Sequence, residues 1–255
     1  IREIRADARV AVVEAGVILA TLHAAAAEHD LIFPLSFGAR GSAMVGGVLS
    51  TNAGASNVLR YGNTRDLCLG LEVVTPTGEV MNLMSALHKN NSGYDLRHLM
   101  IGAEGTLGII TAAVLKLFPR PRAYATAMVA VPTVGAALRL LHRLQDETGG
   151  AVEAFEYIPR SFLTVLLQRF PQMRPPFEKS YDVNVLVELG GRAPRDVMPD
   201  ASGTVPISAH LEAVLAGFYE EGLILDAVVA QSEAQRAEIW ARREASAQIL
   251  RVRKP

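Results

Sequence analysis

The sequence predicts an α+β chain in two domains, residues 1–121 and 122–255. Short apolar strands alternate with amphipathic segments of helical length throughout. Two stretches concentrate Gly, Ala, Ser and Thr between apolar runs, Met44 to Gly54 and Gly102 to Thr111. Pro119-Arg120-Pro121 then interrupts the pattern, and a Pro-rich exit of that kind marks a domain boundary.

Ala8 to Glu14 reads as a buried strand, and Gly16 to His29 as a helix rich in strong helix formers. Leu31 to Pro34 is a short strand that delivers the chain to the first glycine-rich stretch, where Val45 to Ser50 fits one or two helical turns. The amide ends of such turns favour phosphate and carbonyl oxygens. Leu67 to Val74 and Glu79 to Leu83 form a hairpin about Thr75-Pro76-Thr77-Gly78, with Pro at the second turn position and Gly at the fourth. Leu107 to Phe118 alternates apolar residues with Thr and Lys and closes the first domain.

In the second domain, strands are expected at Ala125 to Val131, Ala151 to Tyr157, Ser180 to Leu189 and Leu223 to Val229. Helices are expected from Pro132-Thr133 to Gly149-Gly150, from Pro159 to Phe170, from His210 to Glu221, and from Ser232 to about Leu250, with Gly190 to Ser208 as a loop. Helices covering one face of an antiparallel sheet would give an α+β cap.

The bulk numbers exclude several classes. With 25 basic and 26 acidic residues the charge is nearly balanced, which gives no footprint for nucleic acid, and Arg251 to Lys254 reads as a solvated helix end. The lone Cys68, between Leu67 and Leu69, rules out an internal disulfide, reads as a small core residue and suits a reducing, cytoplasmic setting. The longest apolar candidate, Gly16 to Ala27, is too short for a membrane span. The six histidines show no metal-ligand spacing, the carboxylates do not cluster, and no residue qualifies as a catalytic base or metal ligand.

A backbone rich in glycine can approach a large polar ligand and bond it through main-chain N–H groups. A side chain at Gly46, Gly47 or Gly54 would stand in the way, while Thr51 and Asn52 add short polar arms. Each Gly-Gly pair taken alone is equally ordinary turn punctuation. Five segments stand in order: Val45-Gly46-Gly47 with Thr51-Asn52-Ala53-Gly54; Arg60-Tyr61-Gly62; the hairpin Gly70 to Val80; Asn91 to Leu96; and Gly102 to Thr111.

That ordered set resembles the FAD-linked oxidase and dehydrogenase family typified by vanillyl-alcohol oxidase, within it the D-2-hydroxyacid dehydrogenase branch, and most of all the D-2-hydroxyglutarate dehydrogenases. The likeness spans residues 10 to 120 and is weaker beyond, where it rests on Trp240-Ala241-Arg242-Arg243-Glu244. It implies the second half of an FAD-binding domain over residues 1–121, then an incomplete substrate cap over 122–255. The glycine-rich pyrophosphate loop that precedes this region in the family, and the histidine-rich segment that follows it, do not occur, so the chain reads as the middle of a longer protein.

By this resemblance Gly38, Ala39, Arg40, Gly41, Ser42, Ala43, Met44, Gly46, Gly47, Thr51, Asn52, Ala53, Gly54 and Gly62 line the flavin and its pyrophosphate. Met44 stands where the family often has threonine. Glu104, Gly105, Thr106, Leu107, Gly108, Ile109 and Ile110 run along the adenosine end of FAD, and Arg243 grips the substrate carboxylate through a bidentate fork. The bland readings are a turn entering a strand for 104–110 and a solvated helix charge for Arg243. The implied reaction is oxidation of a D-2-hydroxyacid to the 2-oxoacid by hydride transfer to flavin. D-2-hydroxyglutarate is the first substrate choice, glycolate and D-lactate stay open, and the electron acceptor is either a protein or a quinone. A homodimer is compatible with the sequence. A reading from another class makes the chain a non-catalytic scaffold or assembly subunit.

Overall fold

The computed structural model describes residues 1–201, 203–246 and 249, and these form two compact units, Ile1–Arg120 and Pro121 onward. The expected helix end at Leu250 and the basic run Arg251 to Lys254 lie outside the described residues.

The first unit runs β1 (Glu3–Arg5), β2 (Val10–Glu14), α1 (Leu19–Ala27), β3 (Leu31–Ile32), α2 (Val45–Ser50), α3 (Val58–Tyr61), α4 (Thr64–Leu67), β4 (Cys68–Val74), β5 (Val80–Leu83), α5 (Arg97–Met100), β6 (Ile109–Lys116) and β7 (Phe118–Pro119). Five strands form an antiparallel sheet in the order β1-β2-β6-β4-β5, and β3 pairs separately with β7. The hairpin turns at Gly78, whose φ of 84° is left-handed and whose N–H donates to the Thr75 carbonyl at 2.9 Å. Alternation sends Ala11, Val13, Leu71, Val73, Ala113 and Leu115 into one core with Leu19 and Leu22 of α1 and Val48 and Leu49 of α2. That core holds α1 and α2 against the sheet.

The second unit runs β8 (Ala123–Val131), α6 (Val134–Glu147), β9 (Val152–Pro159), α7 (Arg160–Arg169), β10 (Val183–Gly191), α8 (Pro194–Val197), α9 (Pro206–Glu220), β11 (Asp226–Val229) and α10 (Glu233–Glu244). Its antiparallel sheet has the order β11-β8-β10-β9. Thr133 caps α6 by accepting the Ala136 N–H at 3.1 Å, and Ser232 caps α10 from the Gln235 N–H at 3.3 Å.

The helices do not share one face. Ala127, Val129, Val185 and Val187 pack with Leu140 of α6 and Leu211 and Leu215 of α9, whereas Met128, Ala130 and Leu186 pack with Leu163 and Leu166 of α7 and Ile239 of α10. Every residue of β10 is buried. A strand buried at odd and even positions alike is covered on both sides, which is the reason the one-face expectation fails. The expected loop 190–208 also contains α8 and the first turn of α9, both begun by prolines, at 194 and 206.

Candidate functional site

In the first unit the chain leaves β2, turns, and enters α1. The start of α2 is stitched to that turn, because Val45 N–H donates to the Val17 carbonyl at 2.9 Å and Gly46 N–H to the Ala15 carbonyl at 2.8 Å. Gly38 to Ala43 lie on the same scaffold as turns tied to α1, with Leu19 N–H donating to the Ala43 carbonyl at 2.8 Å and Ala20 N–H to the Arg40 carbonyl at 3.0 Å. The expectation that the leading amides of α2 face a ligand therefore fails for Val45 and Gly46, whose N–H groups are spent on the β2–α1 turn.

Beside α2 lies an open cavity of about 500 Å³, lined by Phe37, Ala43, Met44, Gly47, Val48 and the run Thr51 to Gly54. Seven of the residues singled out from the sequence meet there: Ala43, Met44, Gly47, Thr51, Asn52, Ala53 and Gly54. Gly47 presents empty space where a Cβ would stand. Gly46 does not, since a Cβ on it would be 2.7 Å from the Ala15 Cβ, so its smallness serves helix packing on β2 and not the cavity. Gly62 is likewise filled by its own neighbourhood: with φ at 80°, a Cβ there would meet the Asp66 carboxylate at 2.5 Å.

The polar arms brace the cavity wall. Thr51 Oγ1 donates to the Gly47 carbonyl at 3.0 Å, and Asn52, in the left-handed region at φ 47°, accepts the Arg65 N–H on Oδ1 at 2.9 Å. Thr64, fully buried, donates its hydroxyl to the Ala53 carbonyl at 2.6 Å. Asn63 and Asp66 close a capping box on α4 behind it.

The second glycine-rich segment folds onto the other end of α2. Gly102 N–H donates to the Leu49 carbonyl at 3.1 Å and Glu104 N–H to the Ser50 carbonyl at 2.9 Å, satisfying carbonyls that a helix end leaves open. The Arg65 guanidinium reaches across to the Ile101 carbonyl at 2.6 Å and to the His98 carbonyl. Glu104, Gly105, Thr106 and Leu107 are exposed beside α2, and so is Ile109. Gly108 is pressed on β4, where a Cβ would stand 2.7 Å from Val73, and Ile110 is buried in the core, so the Ile110 side chain offers no surface to a ligand. Arg65 was not singled out from the sequence. Nothing in the sequence marked it, since the four-residue α4 that carries it is itself too short to be read.

In the second unit Arg243 sits on α10, half-buried, with Nε on the Glu156 carboxylate at 2.6 Å and Nη1 on Ser246 Oγ at 3.2 Å. It is paired, not a free helix charge. Its neighbours on the same helix face are held by one buried carboxylate that sequence reasoning passed over. Glu188 accepts from Arg236 through Nε at 2.7 Å and Nη2 at 2.9 Å, from Trp240 Nε1 at 2.7 Å and from Thr126 Oγ1 at 2.6 Å. The guanidinium of Arg236 also lies 4.3 Å from the centroid of the Tyr124 ring. A single glutamate inside the apolar run of β10 was the available signal, because a buried carboxylate demands partners. Among the described residues no group of His, Cys, Asp and Glu is placed to hold a metal ion, and no helix is long and apolar enough to cross a membrane.

A family model of the FAD binding domain matches residues 1–84, and one of the FAD linked oxidases' C-terminal domain matches residues 120–254. A D-2-hydroxyglutarate dehydrogenase from Xanthomonas citri pv. viticola is 38% identical over 242 residues, covering 95% of this chain and 48% of that protein. The mitochondrial D-2-hydroxyglutarate dehydrogenase of Arabidopsis thaliana is 34% identical over 94% of this chain and 41% of its own length, and a D-2-hydroxyglutarate–pyruvate transhydrogenase of Saccharomyces cerevisiae is 33% identical over 89% and 44%. The chain thus spans about half the length of the curated relatives it matches. A solved alkyldihydroxyacetonephosphate synthase superposes with a TM-score of 0.66 at 18% identity over 98% of this chain and 44% of that one, a likeness of fold alone.

Proposed function

This chain belongs to the FAD-linked oxidases, and we propose that it serves the FAD-dependent oxidation of a D-2-hydroxyacid to the 2-oxoacid, with D-2-hydroxyglutarate the substrate of first choice. The observation that carries the reading is the cavity beside α2, inside the stretch matched as an FAD binding domain. The empty space in front of Gly47 fits the group, since it is a cradle that any larger residue would fill. Ala43, Met44, Gly47, Val48 and Thr51 to Gly54 would hold one part of FAD, and the exposed Glu104 to Leu107 another.

When bound, FAD supplies the acceptor for the hydride that leaves the α-carbon of the substrate. The chain's own share is placement. Met44 is exposed at the cavity edge and offers an apolar surface where a hydroxyl is absent. Arg243 takes the substrate carboxylate on the Nη side of its guanidinium while Glu156 keeps hold of Nε, which orients the fork before substrate arrives. Three of the curated relatives described above carry names that include D-2-hydroxyglutarate, which supports that substrate over glycolate or D-lactate. Buried Cys68 supports a reducing compartment, the cytoplasm or, as for the Arabidopsis relative, the mitochondrion.

Purification of the whole protein tests the reading. It is expected to be yellow, to carry one FAD per chain and to oxidise D-2-hydroxyglutarate with the highest kcat/KM among D-2-hydroxyglutarate, D-lactate and glycolate. A colourless protein that cannot be reconstituted with FAD would sink the proposal, and a yellow protein inert towards all three acids would favour the scaffold role.

A further inference from the structure

Arg65, half-buried at the second position of α4, bonds in two directions. Its backbone N–H donates to Asn52 Oδ1 at 2.9 Å and to Asn63 Oδ1 at 3.0 Å, and Asn52 is part of the cavity wall. Its guanidinium donates from Nη2 to the Ile101 carbonyl at 2.6 Å and from Nη1 to the His98 carbonyl. Those two carbonyls stand at the C-terminal end of α5, where a helix leaves acceptors open and favours a cation. One residue thus joins the cavity wall to the turn that begins the second glycine-rich segment.

The joint is close-fitting. Gly102 follows Ile101 at φ 84°, and a Cβ on it would stand 3.1 Å from Arg65 Nη2 and 3.3 Å from the Asn52 Cβ. Asn52 at φ 47° and Glu104 at φ 51° both hold the left-handed conformation, which residues with side chains keep only where their neighbours impose it. Two main-chain bonds, from Gly102 N–H to the Leu49 carbonyl and from Glu104 N–H to the Ser50 carbonyl, dock the segment on α2, while Glu104 to Leu107 are exposed. Arg97 ties α5 to β4, since its Nη1 donates to the Cys68 carbonyl at 3.0 Å. Arg65 ties the same short helix to the cavity wall.

We propose that Arg65 is a positioning residue for the cofactor: its guanidinium sets Glu104 to Leu107 in register with Thr51 to Gly54, so that one FAD molecule meets both surfaces at once. The inference rests on the FAD reading above. A ligand gripped at two places binds tightly only where the spacing of the two surfaces is set before it arrives. Lysine at 65 could reach one carbonyl as a point charge, but it lacks the two separate Nη donors that span His98 and Ile101.

The test uses the whole protein prepared without flavin, as the parent, Arg65→Met and Arg65→Lys. Two quantities are measured: hydrogen exchange of peptides covering residues 98–107 and 109–116, and the dissociation constant for FAD by fluorescence titration. Arg65→Met is expected to speed exchange over 98–107 by about ten-fold or more while β6 keeps its protection, and to weaken FAD by roughly ten-fold to a hundred-fold, the consequence of losing charge-assisted bonds to two carbonyls. Arg65→Lys should fall between Arg65→Met and the parent in both. The proposal is overturned if Arg65→Met binds FAD within about two-fold of the parent, or if 98–107 stays as protected as before. It is overturned as well if β6 loses protection equally, which would make Arg65 a plain stability contact. A parent that takes up no FAD would sink the FAD reading and this proposal with it, whereas unchanged FAD affinity in a loosened Arg65→Met protein would sink the positioning role and leave that reading standing.

Discussion

Gly46 and Gly47 are neighbours in sequence with opposite duties, and alanine at each should move stability in opposite directions. A methyl on Gly46 would stand 2.7 Å from the Ala15 Cβ, about 1 Å inside a normal carbon contact. Neither partner can step aside, since the Val45 and Gly46 N–H groups tie α2 to Val17 and Ala15 at 2.9 and 2.8 Å. Overpacking of that kind costs roughly 1–3 kcal/mol, offset by about 0.5–1 kcal/mol from replacing a helical glycine. Gly46→Ala should therefore destabilise the first unit by about 1–2 kcal/mol. At Gly47 nothing lies within 4 Å of the new methyl, so only the helix term acts, and Gly47→Ala should stabilise by about 0.5–1 kcal/mol.

Urea unfolding of the two variants checks this. The single tryptophan, Trp240, belongs to the second unit, so its fluorescence isolates that unit while far-UV circular dichroism reports both. The circular-dichroism transition of the first unit should shift down for Gly46→Ala and up for Gly47→Ala, with the Trp240 transition unmoved. In the whole protein Gly47→Val should lose flavin. Equal destabilisation by both alanines, or a neutral Gly46→Ala, would refute the division of labour between the two glycines.

Arg243→Lys keeps the charge and loses the fork, so KM should rise and kcat fall with flavin content intact, at a cost of about 1.5–3 kcal/mol or roughly ten-fold to over a hundred-fold in kcat/KM. Glu188→Gln strips the charge facing Arg236 and should cost about 3 kcal/mol in the Trp240-detected urea transition. The hydrogen bond from Arg97 holds the Asp95 carboxyl down at about 2, below its ordinary value of 3.8. Its contribution is present above about pH 4 and lost as pH falls through 2. Asp95→Asn should thus lower stability at pH 7, by under about 1 kcal/mol because the pair is exposed, and match the parent below pH 2. Burial pushes the Cys68 thiol up to about 12, so native protein should resist iodoacetamide at pH 8 and react once unfolded in urea.

Much of the fold was legible because its signals are local. The hairpin at Thr75 to Gly78, the helix at Val45 to Ser50, the cap at Thr133 and the helix start at Ser232 each follow from a few adjacent residues, and each occurs where those residues stand. What escaped was either too short or decided at a distance. The helices α3, α4, α5 and α8 have four residues each, barely one turn, so no apolar period could announce them. Whether the helices of the second unit share a face depends on β8 and β10, which are mostly apolar at odd and even positions of their central stretches and need cover on both sides. Runs of that kind look alike to a window that counts alternation only.

The candidate site was legible to the level of the segment and not of the atom, and helix geometry explains the gap. Consecutive residues of a helix point about 100° apart, so in a Gly-Gly pair one glycine can face a strand while the next faces open space. Sequence supplies the pair; only the position of Ala15 says which is which. The same holds on α10. Arg236, Trp240 and Arg243 fall at i, i+4 and i+7, one face of the helix, which is readable. Their partners are not, because Glu188 and Glu156 lie 32 residues apart on different strands. The antiparallel register that sets Leu186 opposite Glu156 and Glu188 opposite Ala154 brings the two carboxylates to neighbouring rows of one sheet face. Glu188 then spends its bonds on Arg236 and Trp240, which fixes the roll of α10, and Arg243, two turns along, is thereby carried to Glu156.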